Sequence, residues 1–240
     1  MIGMLISLSI LVSSMGWAFF QFYGKMVRAL TEVKSIQSTQ HADHVETRHF
    51  LLSTIDWKTH RQKLILFMRD EIVREWSLLD QDIDYDKAYC IAENNMKEYE
   101  KYPYIDVLLI LALQWNESRF CDTAVSPAGA LGIMQIMPAT GRLLAGFFHM
   151  EYSNSLLINI TTSIRFGTKY LDVLYAQYGE PEIVLAAYNG GFWQAHYYRE
   201  GIKKKLSPET ASYVPTILNK WKEYKEKFKV YRIDTQMNIK

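Results

Sequence analysis

The chain has 240 residues, of which 49% are hydrophobic and 22% charged, a composition typical of a folded globular protein with room for a substantial core. Its formal net charge of +1 argues against binding to nucleic acid through bulk basicity, so we expect no nucleic-acid partner. Cys90 and Cys121 lie in no Cys-x-x-Cys or Cys/His metal pattern. The sequence allows either a disulfide between them in an oxidising compartment or two half-buried thiols.

The amino-terminal segment is strongly apolar. Residues 2–23 contain no charged side chain and are long enough to cross a bilayer as a helix, with aromatic residues clustered at the far end. We therefore predict a transmembrane anchor or an uncleaved signal over residues 1–24. There are two alternatives. The segment could be a cleaved signal peptide, although the basic n-region of such a peptide is missing, or it could be a long buried core helix. The segment is followed by the basic residues Lys25, Arg28 and Lys34. Basic residues prefer the cytoplasmic side of a membrane, so their position opposes an external location of the domain that follows.

Residues 25–80 are predicted to form a polar linker followed by an amphipathic helix over 58–79. The linker contains His41, His44 and His49, for which a solvated segment is favoured over a metal site because no ligand spacing accompanies them. A second helix is predicted over residues 85–99. The run 105–115 is nearly all apolar, which predicts a helix buried on every side.

Glu117 stands at the end of this predicted buried helix. An apolar setting disfavours the charged carboxylate and raises its pKa, and a carboxylic acid still protonated near neutral pH can act as a general acid. The following residues predict a tight turn at 126–129, and Gly129 and Gly132 would allow the backbone to approach a ligand closely. Gln135 offers an amide that could orient a polar ligand.

The remainder of the chain is predicted to be helical. Pro138 is suited to the first turn of a helix that continues over 141–150, and further helices are predicted over 159–178 and 181–188. The last of these should end at the turn signal Asn189-Gly190-Gly191. Another helix should begin at Ser207-Pro208, although Pro215 would kink it or delay its start.

Three motifs in this order resemble the catalytic domain of the soluble lytic transglycosylases, which are related to the goose-type lysozymes. Glu117-Ser118 and residues 126–140 match the pattern Glu-Ser, then Ser-Pro-x-Gly-Ala-x-Gly-Leu-Met-Gln-Ile-Met-Pro-x-Thr, with Ile133 in place of the usual Leu. Residues 187–189 match the Ala-Tyr-Asn motif, and residues 209–214 match the closing Glu-Thr-x-x-Tyr-Val motif. The resemblance covers roughly residues 85–220.

One segment departs from the family pattern. The family usually continues after Ala-Tyr-Asn with Ala-Gly-Pro-Gly, whereas this chain has Gly-Phe-Trp-Gln-Ala-His-Tyr-Tyr over residues 191–198. Trp193 or Tyr197 could stack on a sugar or pack inward. The three lysines at 203–205 fit a solvated loop or a contact with an anionic wall polymer.

The resemblance implies a mainly α fold: a lysozyme-like helical domain over residues 81–228, with a small irregular or β-hairpin region after the catalytic helix. The membrane helix predicted from the apolar segment would precede this domain. Residues 229–240 would be a tail. It implies that Glu117 is the catalytic residue, and it also implies a set of substrate-binding residues, namely Ser118, Gly132, Met134, Gln135, Tyr188, Asn189 and Tyr213. Of these, Ser118 would support Glu117, and the two tyrosines would line the cleft.

The implied reaction is cleavage of the MurNAc-GlcNAc β-1,4 bond of peptidoglycan with formation of 1,6-anhydroMurNAc. Most glycosidases use two carboxylates, whereas the motifs supply only Glu117, which would serve as acid and then base while the N-acetyl group of the substrate stabilises the anomeric centre. No metal or organic cofactor is needed for this scheme. The alternatives are a water-using muramidase, and a non-catalytic peptidoglycan-binding scaffold of an envelope machine.

The resemblance also bears on partners and location. Glycan strands of peptidoglycan would be the substrate, and envelope-spanning secretion, conjugation or phage machinery are candidate partners, with residues 25–80 as a candidate docking arm. The protein would be anchored in the inner membrane of a bacterial envelope with its catalytic domain in the periplasm or outside. It would be secreted if the leader is cleaved.

Overall fold

The computed structural model describes residues 57–237, with side chains to residue 232. The predicted membrane segment, the linker with its three histidines and the last three residues lie outside the described part. Among the described residues, no helix is both long and apolar enough to span a bilayer. The described residues form a mainly helical structure, as the sequence predicted.

The helices are numbered here from the first described residue. They are α1 (Trp57–Leu78), α2 (Tyr85–Lys101), α3 (Val107–Ser118), α4 (Pro138–Phe147), α5 (Ser155–Ile158), α6 (Ile160–Tyr178), α7 (Pro181–Arg199) and α8 (Pro208–Met237), with a short 3-10 turn at Lys203–Lys205.

The central helix is α3. Its residues from Val107 to Gln114 are all buried, which confirms the prediction from its apolar sequence. Asp106 caps its amino terminus by accepting a hydrogen bond from the backbone N–H of Leu108. The helix packs against α8 and α2, and α7 in turn packs against α8. The end of α3 is therefore held within the helical core.

Helix α1 is part of the same core. Its buried apolar residues, among them Ile65, Met68 and Ile72, lie in one cluster with residues of α2, α3 and α8. Glu71 of α1 also pairs with Lys227 of α8 at 3.1 Å. The sequence analysis grouped this helix with the linker before residue 81, whereas in the structure it packs as an integral helix of the domain.

Two helix boundaries differ from the predictions. The break predicted at Asn189-Gly190-Gly191 is present, because Gly191 has φ 72° and ψ −164°, but the chain then resumes a helical course to Arg199. Helix α8 begins at Pro208, where Ser207 accepts a hydrogen bond from the backbone N–H of Thr210, which confirms the start predicted at Ser207-Pro208, and Pro215 does not delay it. The same helix runs to Met237, past residue 229 where a tail was expected.

The segment between α3 and α4 is irregular. The expected β-hairpin is not present among the described residues, where this region contains only isolated antiparallel bridges, from Val125 to Leu131 and from Leu131 to Ile136. Positive φ values at Gly129, Gly132 and Gln135 interrupt any extended run before a ladder can form. The loop is instead a series of tight turns.

Candidate active site

Glu117 lies in the last turn of α3. The helix ends at Arg119, which adopts a left-handed conformation with φ 51° and donates its backbone N–H to the carbonyl of Trp115. The next residue, Phe120, is also left-handed at φ 65° and is fully buried. These two residues turn the chain sharply away from the helix axis, so the half-buried Glu117 is at the end of a buried helix as predicted.

The carboxyl group of Glu117 has an unusual environment. Burial raises its pKa from 4.5 to about 7, and a hydrogen bond donated by the hydroxyl of Tyr213 to its Oε1 opposes part of this rise. The negative charge of Glu209 raises the pKa of Glu117 further. Near neutral pH a large fraction of Glu117 is therefore protonated, which is the state that a general acid requires.

Two tyrosines flank this carboxyl group, the buried Tyr213 and the half-buried Tyr188. Burial, helped by the negative charge of Glu117, raises the pKa of both Tyr188 and Tyr213 well above the ordinary value. Both hydroxyls are therefore neutral donors over the ordinary pH range. Tyr213 donates to Glu117, whereas Tyr188 donates to the backbone carbonyl of Met134 at 2.9 Å.

The irregular loop is fastened to α3 by Ser118. Its Oγ donates to the carbonyl of Ile133 at 2.9 Å, and it forms no hydrogen bond with Glu117. Gln135, left-handed at φ 46°, donates its Nε2 to the carbonyls of Ala124 and Gly132. Its Oε1 accepts no hydrogen bond from the described residues. Ser118 therefore acts through the loop, and Gln135 offers a ligand only the oxygen of its amide.

Gly132 and Met134 make internal contacts. A Cβ added at Gly132 would lie 1.8 Å from the carbonyl oxygen of Leu157, so this glycine permits the loop to approach α5 rather than to approach a ligand. The side chain of Met134 is fully buried against Gly167, with its Sδ 3.4 Å from the Nε2 of Gln114. Gly132 has no side chain and that of Met134 is fully buried, so any contact of these two residues with substrate would come from the backbone.

Asn189 joins α7 to the first turn of α8. Its Nδ2 donates to Glu209 at 2.8 Å, and its Oδ1 accepts from the hydroxyl of Thr210 at 2.6 Å. The sequence analysis identified Glu209 only as part of a motif, although its charge acts on Glu117 and its carboxylate is oriented by Asn189. The presence of both the Ala-Tyr-Asn motif and the Glu-Thr motif in the sequence was the signal that could have indicated a role for Glu209 in the site.

The other candidates from the sequence lie elsewhere. Asp122, the carboxylate nearest to Glu117 in sequence, pairs with Lys87 at 3.1 Å. Cys90 and Cys121 are free thiols, both half-buried. Across residues 57–232, no group of His, Cys, Asp and Glu side chains is arranged to hold a metal ion.

Comparison with known proteins identifies a family for the central part of the chain. Residues 94–207 match the family described as the transglycosylase SLT domain. The chain contains an SLT domain. The matched range includes Glu117, the irregular loop and the break in α7, and it ends one residue before α8.

The SLT domain has curated relatives named soluble lytic murein transglycosylase. The protein of that name from Escherichia coli strain K12 is 34% identical over 110 residues, which is 44% of this chain and 17% of the relative. The protein from Salmonella typhimurium is 33% identical over the same length, with the same coverage. The chain thus spans about a sixth of the length of these relatives.

Solved structures show the same fold. The lytic transglycosylase Slt of Pseudomonas aeruginosa, solved as an inactive mutant, aligns with a TM-score of 0.53 and 23% identity over 84% of this chain and 37% of that chain. The 70 kDa soluble lytic transglycosylase of Escherichia coli aligns with a TM-score of 0.50 and 24% identity, over 70% of this chain and 30% of its own.

Proposed function

We propose that this protein is a peptidoglycan lytic transglycosylase that cleaves the MurNAc-GlcNAc β-1,4 bond and forms 1,6-anhydroMurNAc. The observation that supports this best is Glu117, whose pKa is raised to about 7 and which accepts a hydrogen bond from Tyr213. The names of the relatives, which describe them as murein transglycosylases, support the substrate class.

In the first step Glu117 is the general acid. Its protonated carboxyl group donates a proton to the glycosidic oxygen, the bond from that oxygen to C1 of MurNAc breaks, and the GlcNAc hydroxyl leaves. The carbonyl oxygen of the N-acetyl group bonds to C1 and takes up the positive charge as an oxazolinium ion. The substrate thereby supplies the stabilisation that a second carboxylate gives in ordinary glycosidases.

In the second step Glu117 is the general base. Its carboxylate removes the proton from the 6-hydroxyl of MurNAc as O6 bonds to C1 and the bond from the N-acetyl oxygen to C1 breaks. The acid is then restored, and no water is consumed. The Tyr213 hydroxyl, which donates to Oε1, would stabilise the carboxylate formed between the two steps. Glu209 is exposed and would not be needed as a nucleophile.

Peptidoglycan lies outside the cytoplasmic membrane, so the protein would act in the cell envelope. Attachment through residues 1–24 and recruitment by an envelope-spanning machine remain predictions from the sequence. Separating soluble and membrane fractions of cells that express the full chain would test the attachment.

The experiment that tests the reaction uses the full chain, purified in mild detergent, with purified peptidoglycan sacculi. Mass spectrometry of the released muropeptides should show products one water lighter than those with a reducing end. Glu117→Gln should release none, because an amide cannot donate the proton. Glu200→Gln, which changes the same chemical group at an exposed position, is the matched control and should release the same products as the wild type.

The outcomes separate the candidate functions. Reducing-end products would contradict the transglycosylase reaction and establish a muramidase, in which water attacks C1. If the wild type released nothing and yet remained bound to sacculi, the non-catalytic scaffold would replace both enzymes. If Glu117→Gln released as much as the wild type, the role given to Glu117 would be wrong.

A further inference from the structure

The second half of α7 presents aromatic side chains to solvent. Phe192 and Trp193 are 45% and 62% exposed, and they are followed one helical turn later by the half-buried His196 and Tyr197. We refer to these four residues as the aromatic surface. They lie where the sequence departs from the usual pattern of the family, so this surface is a property of this chain.

The four rings form one continuous group. The ring centroids of Phe192 and Trp193 are 5.2 Å apart, and Trp193 stacks on Tyr197 at 6.0 Å with an interplanar angle of 27°. His196 contacts all three of the other rings. Ala195, on the opposite face of the helix, is fully buried. This half of the helix therefore packs on the core through Ala195 and the partly buried Tyr198, and it leaves the four rings of the aromatic surface outside, as binding surfaces do.

The aromatic surface is fixed to α8, the helix that carries Tyr213. Gln194 accepts a hydrogen bond from the backbone N–H of Ser207, which caps α8. Gly190 fits closely between Gln194 and Thr210, where a Cβ would lie 2.2 Å from the Gln194 Cγ. Because α8 also carries Tyr213, whose hydroxyl donates to Glu117 of α3, the aromatic surface is connected through α8 to the catalytic carboxyl group.

Basic residues adjoin the aromatic surface. The Nζ of Lys205 lies 5.4 Å from the ring centroid of Tyr197, and Lys203 and Lys204 are exposed in the same 3-10 turn. None of the three lysines forms an ion pair with another described residue. Ammonium groups beside exposed aromatic rings suit a ligand with sugar faces and carboxylates.

We propose that the aromatic surface and Lys203–Lys205 form an additional binding surface for the glycan strand, outside the catalytic residues. The rings would stack on the apolar faces of N-acetylated sugars, and the lysines would bind carboxylates of the peptide stems. This proposal rests on the proposed function, because the strand is the polymer that Glu117 would cleave. It makes the enzyme prefer long, stem-bearing strands over short fragments.

The test measures binding separately from cleavage. The full chain with Glu117→Gln would be sedimented with purified sacculi, and Trp193→Ala in that background should weaken retention roughly 5- to 10-fold. Trp193→Tyr should restore most of it, because a ring is kept. Tyr85, which is 60% exposed at the start of α2, provides the matched control, and Tyr85→Ala should leave retention unchanged.

The lysines are tested with a second substrate. Replacing Lys203, Lys204 and Lys205 together with Gln should weaken retention on intact sacculi, but not binding to the stem-free glycan strands that an amidase releases from sacculi, measured by co-elution in gel filtration. Trp193→Ala should weaken both. Thermal unfolding of each variant, expected to match the parent because these side chains are exposed, confirms that folding is intact.

The proposal fails if Trp193→Ala is retained as well as its parent, or if the Tyr85→Ala control loses retention equally. The aromatic surface would then serve another purpose, such as binding a protein. Release of anhydro products by the wild type is scored in the same series. If the wild type releases anhydro products but Trp193→Ala does not weaken retention, the proposed function stands and this proposal fails. If the wild type releases no products, the proposed function itself fails.

Discussion

Replacing Glu117 by Gln should stabilise the protein, and the gain should depend on pH. The amide resembles the protonated acid and keeps an oxygen that can accept the hydrogen bond from Tyr213. In the wild type the folded-state pKa of about 7 exceeds the ordinary value of 4.5, so folding binds protons and the free energy of unfolding falls as pH rises between these values. The variant has no such loss.

The magnitude follows from the two pKa values. Their difference is equivalent to about 3 kcal/mol of unfolding free energy. Since Glu117 is only half-buried, solvent screening reduces the expected gain to ~1–3 kcal/mol at pH 8. Below pH 4.5 the carboxyl group is neutral in both states, so the wild type and Glu117→Gln should then be nearly equal in stability.

Urea unfolding followed by tryptophan fluorescence at a series of pH values from 5 to 8 would measure this. Glu200→Gln, at an exposed position, is the control and should differ from the wild type by a constant amount across the series. The reasoning would be refuted if the gain from Glu117→Gln were the same at pH 5 and pH 8, or if the variant were less stable at pH 8.

Two further predictions concern Tyr213 and the glycines of the loop. Tyr213→Phe removes the hydrogen bond that lowers the pKa of Glu117, so the pH at which kcat/KM falls should rise above about 7. The value of kcat should also fall roughly 100-fold, because the carboxylate loses a stabilising donor. An unchanged pH profile would contradict this reasoning. Gly132→Ala would force a Cβ into the Leu157 carbonyl and should reduce the free energy of unfolding by ~3 kcal/mol or more. Gly129→Ala, at a similar φ but with open space around it, should cost only ~1 kcal/mol, and equal losses in urea unfolding would contradict the steric argument.

Features set by neighbouring residues in the chain could be predicted from the sequence. The buried helix α3 follows from an unbroken apolar run, and the start of α8 follows from Ser207 and Pro208, because a cap and a proline act within a single turn. The break at Gly191 also follows from local sequence, since its φ of 72° is one that glycine adopts readily.

Features set by contacts between residues distant in the chain could not be predicted from the sequence. The sequence pattern selected Gly132 and Met134 as substrate-binding residues, but the direction of their contacts depends on Leu157 and Gly167, which belong to other helices. A substrate contact and a close internal approach both require a small or flexible residue, so residue type alone does not separate them. The same limit applies to Ser118, whose partner is a loop carbonyl rather than Glu117.

The physical unit that holds Glu117 is larger than the matched SLT range. Tyr213, which donates to Glu117, lies on α8 beyond residue 207. On the other side, Trp76 of α1 donates its Nε1 to the carbonyl of Arg119 at 3.2 Å, directly after the Glu-Ser pair. The guanidinium of Arg119 also lies 3.7 Å from the ring centroid of Trp115. Tyr213 and Trp76 thus contact the carboxyl-terminal end of α3 from α8 and α1. Residues 94–207 alone would lack both of these side chains, and with them the hydrogen bond that lowers the pKa of Glu117. Helix α1 is therefore part of the core that holds Glu117.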